Sequence, residues 1–282
     1  MASLSEQLNS KDTHFVYELI QNAEDNKYAN DVQPFLAFRL EHNRLIVDSN
    51  ETGFTQRNIE AISKINDSTK SRKSGFIGEK GIGFKSVFRV AWKVHIHSEP
   101  YSFAFIHHEG DNGMGMVTPL NEEYLDDVPE DIQTRMILYF RDNTVADSVE
   151  KELRDLPNTL LLFLDKLKRL SVNVNREEND NWNIMYSWKM TEGFNSKKRV
   201  TIMKLEDGVT SEYDFWVVKR KEHDMPNHPA RDEIDHAEVV LAFPLNGADD
   251  PIIETQWISA YLPLRQEDFK VRESKPLRKF DN

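Results

Sequence analysis

Segments with strand character in this 282-residue sequence come in closely spaced runs, with the helical patterns falling before and after them. Phe35–Leu40 and Arg44–Asp48 are separated by little more than the turn pair His42-Asn43, and the alternating stretch Lys93–His97 is followed at once by Tyr101–Ile106. Strands joined this tightly must run antiparallel, because a parallel pair needs a crossover of a dozen or more residues. The pattern therefore predicts an α+β fold with a mixed, mostly antiparallel sheet rather than a doubly wound parallel one.

Helical patterns occupy four places. Asp12–Lys27 is amphipathic, with Ser10 or Asp12 as its cap, and a second helix carries Ile59, Ile62 and Ile65 at threefold spacing after a turn at Gly53. A glycine-rich stretch, Gly75–Gly83, follows the polar loop Asn66–Ser74 and opens a helix to about Val90. The fourth pattern, Ala146–Leu170, is interrupted by Pro157. A further strand is predicted at Met136–Phe140. The hydrophilic run Asn175–Asn181 is the boundary candidate, giving a first domain over 1–175 and a smaller strand-rich region over 182–282. That region has predicted strands at Ile184–Met190, Arg199–Leu205, Tyr213–Lys219, Ala237–Phe243 and Trp257–Leu264.

Composition removes several function classes. There is no cysteine, so disulfide frameworks, thiolate metal sites and cysteine nucleophiles are excluded. The longest obvious apolar run is Leu160–Leu164, far short of the roughly 18 residues of a membrane span. Met1–Ser10 is polar and lacks the apolar core of a signal peptide, so the expected location is the cytoplasm or nucleus. The net charge of −12 argues against a general nucleic-acid binder, which needs basic surface to neutralise phosphates. That total hides a reversal. Lys64–Lys93 holds eight basic residues against two acidic ones, a local charge of +6 that leaves −18 for the rest. An approaching anion has one favourable landing zone.

Three short patterns carry chemistry. In the first helix, Phe15, Val16, Leu19, Ile20 and Ala23 fall on one face, and His14, Glu18, Asn22 and Asp25 form a separate stripe. One turn thus sets a carboxylate beside an amide oxygen, a candidate general base next to a hard ligand for magnesium. A merely solvated helix face shows the same stripe. The second pattern is Asn50-Glu51-Thr52-Gly53-Phe54, in which a carboxylate precedes a turn glycine directly after a strand and can accept from an exocyclic amine; alone it is simply a turn. The third is Gly75-Phe76-Ile77-Gly78-Glu79-Lys80-Gly81-Ile82-Gly83-Phe84-Lys85-Ser86. Close glycines before a helix let backbone N–H groups converge on an anion, although neither a Walker A loop nor a dinucleotide fingerprint is present. His107-His108-Glu109 lacks the spacing of a metal motif.

Together and in this order, these elements resemble the GHKL ATPase superfamily of ninety-kilodalton heat-shock chaperones, DNA gyrase B subunits, MutL and histidine kinases. Glu18 to Asn22 resembles its N box, Glu51-Thr52-Gly53 its first glycine box and Ile77–Phe84 its second, the match continuing through Ser98 in the manner of the chaperone branch. Thr13-His14-Phe15 before Glu18–Ala23, with Asp67-Ser68-Thr69-Lys70, is similar to the ATPase domain of plant and fungal NO VEIN-type proteins, relatives of sacsin. Tyr261–Arg265 resembles a segment that follows that domain.

The resemblance implies a Bergerat two-layer sandwich, a mixed sheet covered by helices, that binds ATP and Mg2+ and hydrolyses ATP slowly. It implies that Glu18 is the general base, Asn22 a magnesium ligand, and Asp25 part of the nucleotide pocket. Glu51 stands where the family has an aspartate for the adenine amino group, Gly53 belongs to that box, and Thr55 replaces its second glycine. The backbone of Gly78, Gly81, Ile82, Gly83 and Phe84 would wrap the phosphates, with Lys70, Lys73 and Lys80 as candidate cations. Thr134 resembles the threonine of a late adenine-pocket strand, and Arg265 is a candidate for a basic residue that completes the site. The implied partners are ATP or ADP, a protein client and a second copy in a nucleotide-dependent dimer. The alternative is a nucleotide-sensing interaction module without turnover. A histidine kinase is disfavoured, since no dimerisation helix with a phosphoacceptor histidine precedes the site.

Overall fold

The computed structural model describes residues 15–63, 84–108, 110, 118–176, 181–194, 197–222, 237–248, 250–252, 255–260 and 262–268. It is an α+β fold with a large mixed sheet and few helices. The first helix, α1 (Phe15–Asp25), is followed by β1 (Phe35–Leu40), β2 (Arg44–Ser49) and α2 (Gln56–Ser63). A 3-10 turn, Phe84–Arg89, leads into β3 (Ala91–Ser98) and β4 (Tyr101–Ile106), then the short β5 (Leu120–Asn121), β6 (Thr134–Phe140) and α3 (Thr144–Arg154). After a second 3-10 turn at Leu160–Phe163 come β7 (Arg169–Val174), β8 (Trp182–Phe194), β9 (Lys197–Glu206), β10 (Val209–Glu222) and β11 (Ala237–Pro244). These eleven strands form one sheet in the order β11-β10-β9-β8-β7-β1-β2-β6-β3-β4-β5. Every neighbouring pair among them is antiparallel except β1 with β7, where Phe35 lies opposite Arg169 and Leu40 opposite Val174.

Two readings from the sequence are corrected. The helical pattern assigned to Ala146–Leu170 is a helix only to Arg154; Pro157 ends it, and Arg169–Val174 enters the sheet as the parallel neighbour of β1. Leu170, Val172 and Val174 are buried and alternate with more exposed residues, the period of a strand. The single strand expected at Trp257–Leu264 is a separate hairpin of β12 (Thr255–Ala260) and β13 (Leu262–Asp268). The cap residues Ser10 and Asp12, His14, and the loop and glycine-rich stretch through Gly83 lie outside the described residues. At the hydrophilic run Asn175–Asn181, β7 and β8 pair directly across the boundary, and Trp182 donates from Nε1 to Glu150 of α3 at 2.8 Å.

One continuous core holds the fold. Phe15, Val16, Leu19 and Ile20 of α1 and Ala146, Val149 and Leu153 of α3 are buried with the inward residues of the strands. Side chains alternate across a strand, so the opposite face of the sheet carries Asp48, His95, Ser102 and Arg135. There the buried Arg135 grips Asp48 with two hydrogen bonds, Nε at 2.7 Å and Nη2 at 2.8 Å. Ser102 donates to the carbonyl of Glu123 at 2.8 Å, so its oxygen can only accept from His95 Nε2, 2.9 Å away. This serine–histidine pair therefore ties down the segment around Glu123 and is not poised to activate a nucleophile, since the serine proton points away from the imidazole.

Burial holds His95 below the ordinary imidazole range, with Glu122 pulling upward and Lys93 and His97 pushing downward. Its folded pKa therefore lies under the unfolded value of about 6.5, and protonation favours the unfolded chain. Stability contributed by neutral His95 is complete above that value and declines as pH falls through it towards the folded pKa. Denaturant titrations should give a less stable protein at pH 5.5 than at 7.5, and His95→Gln should flatten part of that slope. An unchanged slope in the variant would exclude His95 as its source.

Candidate functional site

Between α1, α2, the sheet and the first 3-10 turn lies a cavity of about 110 Å³. Its walls include Leu19, Leu36, Val47, Phe54, Ile62 and Phe84, and its polar groups are Asn22, Asn26, Ser49, Glu51, Asn58 and Thr134. Neither lysine nor arginine lines it among the described residues. The floor is built from strand ends. Ser49 closes β2 and pairs in register with Thr134, which opens β6, and the two side chains share one face of the sheet.

Glu51 sits two residues past β2, 5% exposed. The turn that carries it is pinned at several points. Asn50 accepts from the Phe35 N–H and donates to the Gln33 carbonyl, and the Thr52 N–H reaches the Lys27 carbonyl just beyond α1 at 2.8 Å. Gly53 adopts φ +84°, a left-handed conformation that favours glycine, and a Cβ there would stand 3.3 Å from Ser98 Oγ. The next N–H, of Phe54, donates to that same Ser98 oxygen at 2.8 Å, and Ser98 Oγ is 2.7 Å from Thr134 Oγ1. Turn, β3 and β6 thus meet at one fully buried hydroxyl.

On α1, the apolar face docks on the sheet, which leaves Asn22 on the flank that borders the cavity. The cavity brings together Asn22, Glu51, Phe84 and Thr134 of the residues expected from the sequence. Glu18 is half-buried one turn before Asn22 and Asp25 is buried, and neither belongs to the lining; Gly53 shapes the turn without lining the cavity. Lys70, Lys73, Lys80, Gly78, Gly81, Ile82 and Gly83 lie outside the described residues, and of Arg265 only its place in β13, opposite Ile258, is described.

Sequence reasoning missed Asn26, Ser49, Asn58 and Ser98. Asn26 continues the Glu18-Asn22 spacing by one more turn, and Ser49 precedes Glu51 by two residues, so both were legible from period alone. Asn58 and Ser98 come from elements whose approach to the cavity no local pattern announces. The buried hydroxyl of Ser49 has no hydrogen bond of good geometry among the described residues. It lies beside Tyr28, whose own hydroxyl donates to the Ala23 carbonyl and whose pKa burial pushes up. The two histidines at 107 and 108 are aromatic contacts, His107 edge-on to Phe88 and His108 stacked on Trp92. Among the described residues no group of three histidine, aspartate or glutamate side chains is arranged to hold a metal. No helix among them is long and apolar enough to cross a membrane.

No family model matches the chain. It is 33% identical over 287 residues to Protein NO VEIN of Arabidopsis thaliana, an alignment covering 95% of this chain and 10% of that protein. The chain is thus a homologue of one stretch of that relative and spans about a tenth of its length. Among solved structures, the B subunit of DNA gyrase from Myxococcus xanthus is similar at a TM-score of 0.41 and 8% identity, over 69% of this chain and 62% of that one.

Proposed function

We propose that this chain is a GHKL-type nucleotide-binding domain that takes ATP with magnesium, hydrolyses it slowly and changes its conformation or protein contacts with nucleotide state, as a chaperone-like module does. The observation that carries this reading is the convergence of Asn22, Glu51 and Thr134, from three separate parts of the chain, on one apolar-walled cavity without a lysine or arginine among its described lining. A buried carboxylate accepts hydrogen bonds and repels anions. Such a floor suits the uncharged, amino-bearing end of a nucleotide, and its volume falls below the roughly 300–1,000 Å³ that encloses drug-sized ligands. The base would therefore be enclosed and the phosphates left at the mouth, towards Phe84, which directly follows the basic, glycine-rich segment in sequence.

On this reading Glu51 receives the exocyclic amine and Thr134 addresses the ring beside it. Asn22 offers a hard amide oxygen, and magnesium needs few protein ligands because phosphates and water supply the rest. Lys70, Lys73 and Lys80 would meet phosphate oxygens along with the backbone of Gly78, Gly81, Ile82, Gly83 and Phe84, and Arg265 would complete the site from the second region. Glu18 would serve as the base. A nucleotide-dependent dimer and a protein client follow from the same reading. A sensor without turnover is the second reading, since the cavity that would enclose the nucleotide base is lined without Glu18 and needs no turnover to bind.

Calorimetric titration tests the proposal. The unchanged chain should bind MgATP and ADP, and Glu51→Ala should weaken both by about 10–150-fold, the loss expected for a hydrogen bond to a charged acceptor of about 1.5–3 kcal/mol. Glu51→Gln, which keeps one acceptor, should fall between. A chain that binds neither nucleotide would overturn the reading.

A further inference from the structure

The buried hydroxyl of Ser98 gives the cavity a direction. It accepts the Phe54 N–H, a donor that cannot turn round, and among the described residues it has one other hydrogen-bond partner, the Thr134 hydroxyl at 2.7 Å. Distance alone does not say which of the two hydroxyls donates. Burial does. Ser98 is 0% exposed, and among the described residues its proton has no acceptor except Thr134. Were Thr134 to donate instead, the Ser98 proton would be buried without a partner, the costlier arrangement. The chain of donation therefore runs from the Phe54 N–H to Ser98 and from Ser98 to Thr134. The proton of Thr134 is left over, and Thr134 lines the cavity.

We infer that Ser98, which does not line the cavity, is a positioning residue that makes Thr134 a hydrogen-bond donor to the bound base and so selects a 6-amino purine over a 6-oxo purine. This rests on the nucleotide-binding reading given above. The 6-amino ring presents a donor, its amine, next to an acceptor, its ring nitrogen. Glu51 can only accept, and the Thr134 proton, left without another acceptor among the described residues, is satisfied by donating to the ring nitrogen, so the two match that order. The 6-oxo ring presents the reverse, a carbonyl next to an N–H: its carbonyl meets a carboxylate that cannot donate, and Thr134 could accept the N–H with its remaining lone pair only by turning its own proton away from the ring, where no other acceptor for it is found among the described residues. Gly53 belongs to the same device. Its missing Cβ leaves the space beside Ser98 Oγ open, and its left-handed turn delivers the Phe54 N–H that fixes the serine.

The test is the ratio of ADP to IDP affinity, measured by calorimetry on the whole chain, with folding of each variant checked by its thermal transition. The unchanged chain should prefer ADP. Ser98→Ala should reduce that preference about 3–10-fold, the share of one neutral hydrogen bond of about 0.5–1.5 kcal/mol. Thr134→Val should reduce it at least as far, and adding Ser98→Ala to Thr134→Val should change the ratio no further, because Ser98 acts through Thr134. Ser98→Cys keeps the volume with a weaker donor and should be intermediate, and it serves if the alanine variant does not fold. An unchanged ratio in Ser98→Ala, or in Ser98→Cys where only that variant folds, would overturn the inference, as would additive effects of the two substitutions. Equal loss of both nucleotides would also overturn it, leaving Ser98 a structural role only. Absence of binding by the unchanged chain would instead overturn the nucleotide-binding reading.

Discussion

Glu18→Ala should bind MgATP within a few-fold of the unchanged chain and release phosphate about 10²–10⁴-fold more slowly, the usual contribution of a positioned general base. Residues four apart on a helix lie one above the other, so the half-buried Glu18 stands one turn from Asn22, the residue that borders the cavity. In the proposed reaction the Glu18 carboxylate takes a proton from water as the water oxygen bonds to the terminal phosphorus and ADP departs with the bridging oxygen. Because Glu18 lies outside the lining of the cavity that would enclose the base, its loss should leave affinity nearly untouched. Release measured under single-turnover conditions separates the readings. Equal rates in both proteins would remove Glu18 from the chemistry, and binding with no release by either would select the sensor.

The second large effect is on stability, and it falls on Glu24. This carboxylate is 4% exposed at the C-terminal end of α1. Its Oε1 accepts the N–H groups of Asp165 at 2.8 Å and Lys166 at 2.9 Å, and Oε2 accepts that of Leu167 at 3.0 Å. Lys166 reaches back with Nζ to the carbonyls of Asp25 at 3.2 Å and Asn26 at 2.9 Å, meeting the end of the helix where its unpaired carbonyls lie. Asp165 in turn pairs with Lys219 of β10. Glu24→Ala would leave three backbone donors without their acceptor, the Leu167 N–H buried and the other two partly so; at about 1–3 kcal/mol for the buried one and less for each of the others, the total should be about 2–5 kcal/mol. Against a usual domain stability of about 5–15 kcal/mol that is a severe loss. Denaturant unfolding should show it, with Glu24→Gln intermediate because one acceptor oxygen remains. A loss under about 1 kcal/mol would show that water replaces the carboxylate. The variants should also bind nucleotide less well than their folded fraction predicts, since Asn22 rides on the same helix.

Glu24 illustrates what pattern could not reach. On the wheel of α1 it belongs neither to the apolar face nor to the stripe of Glu18, Asn22 and Asp25, and it stands next to Asp25, which the resemblance to the superfamily singles out. Its partners are about 140 residues away, in a stretch that the sequence suggested was helix. Helix and strand types were legible where the period was clean. Phe35–Leu40 and Tyr101–Ile106 have the predicted bounds, and α1 contains the expected apolar face. The start of Arg169–Val174 was read as the end of a helix, and the rest of the strand was not assigned, because apolar residues next to a run of leucines also fit a helix over a short window. Its parallel pairing with β1 is a contact between distant segments, which no local preference specifies.

Asn22 and Glu51 could be named from the sequence because each belongs to a short pattern whose residue types and spacing carry chemistry, whereas Thr134 was named only through the resemblance to the superfamily. Local sequence also determined the turn at Gly53, since a left-handed backbone favours a residue without a side chain. Only the tertiary structure decided that these three residues meet in one cavity, that Glu18 stands outside its lining, and that Ser98 joins the Gly53 turn to Thr134. The reason is physical. Helix and turn preferences act over a few residues, whereas the direction of a hydroxyl's proton depends on which donors and acceptors burial has left around it, and those arrive from β2, β3 and β6 only when the sheet has formed.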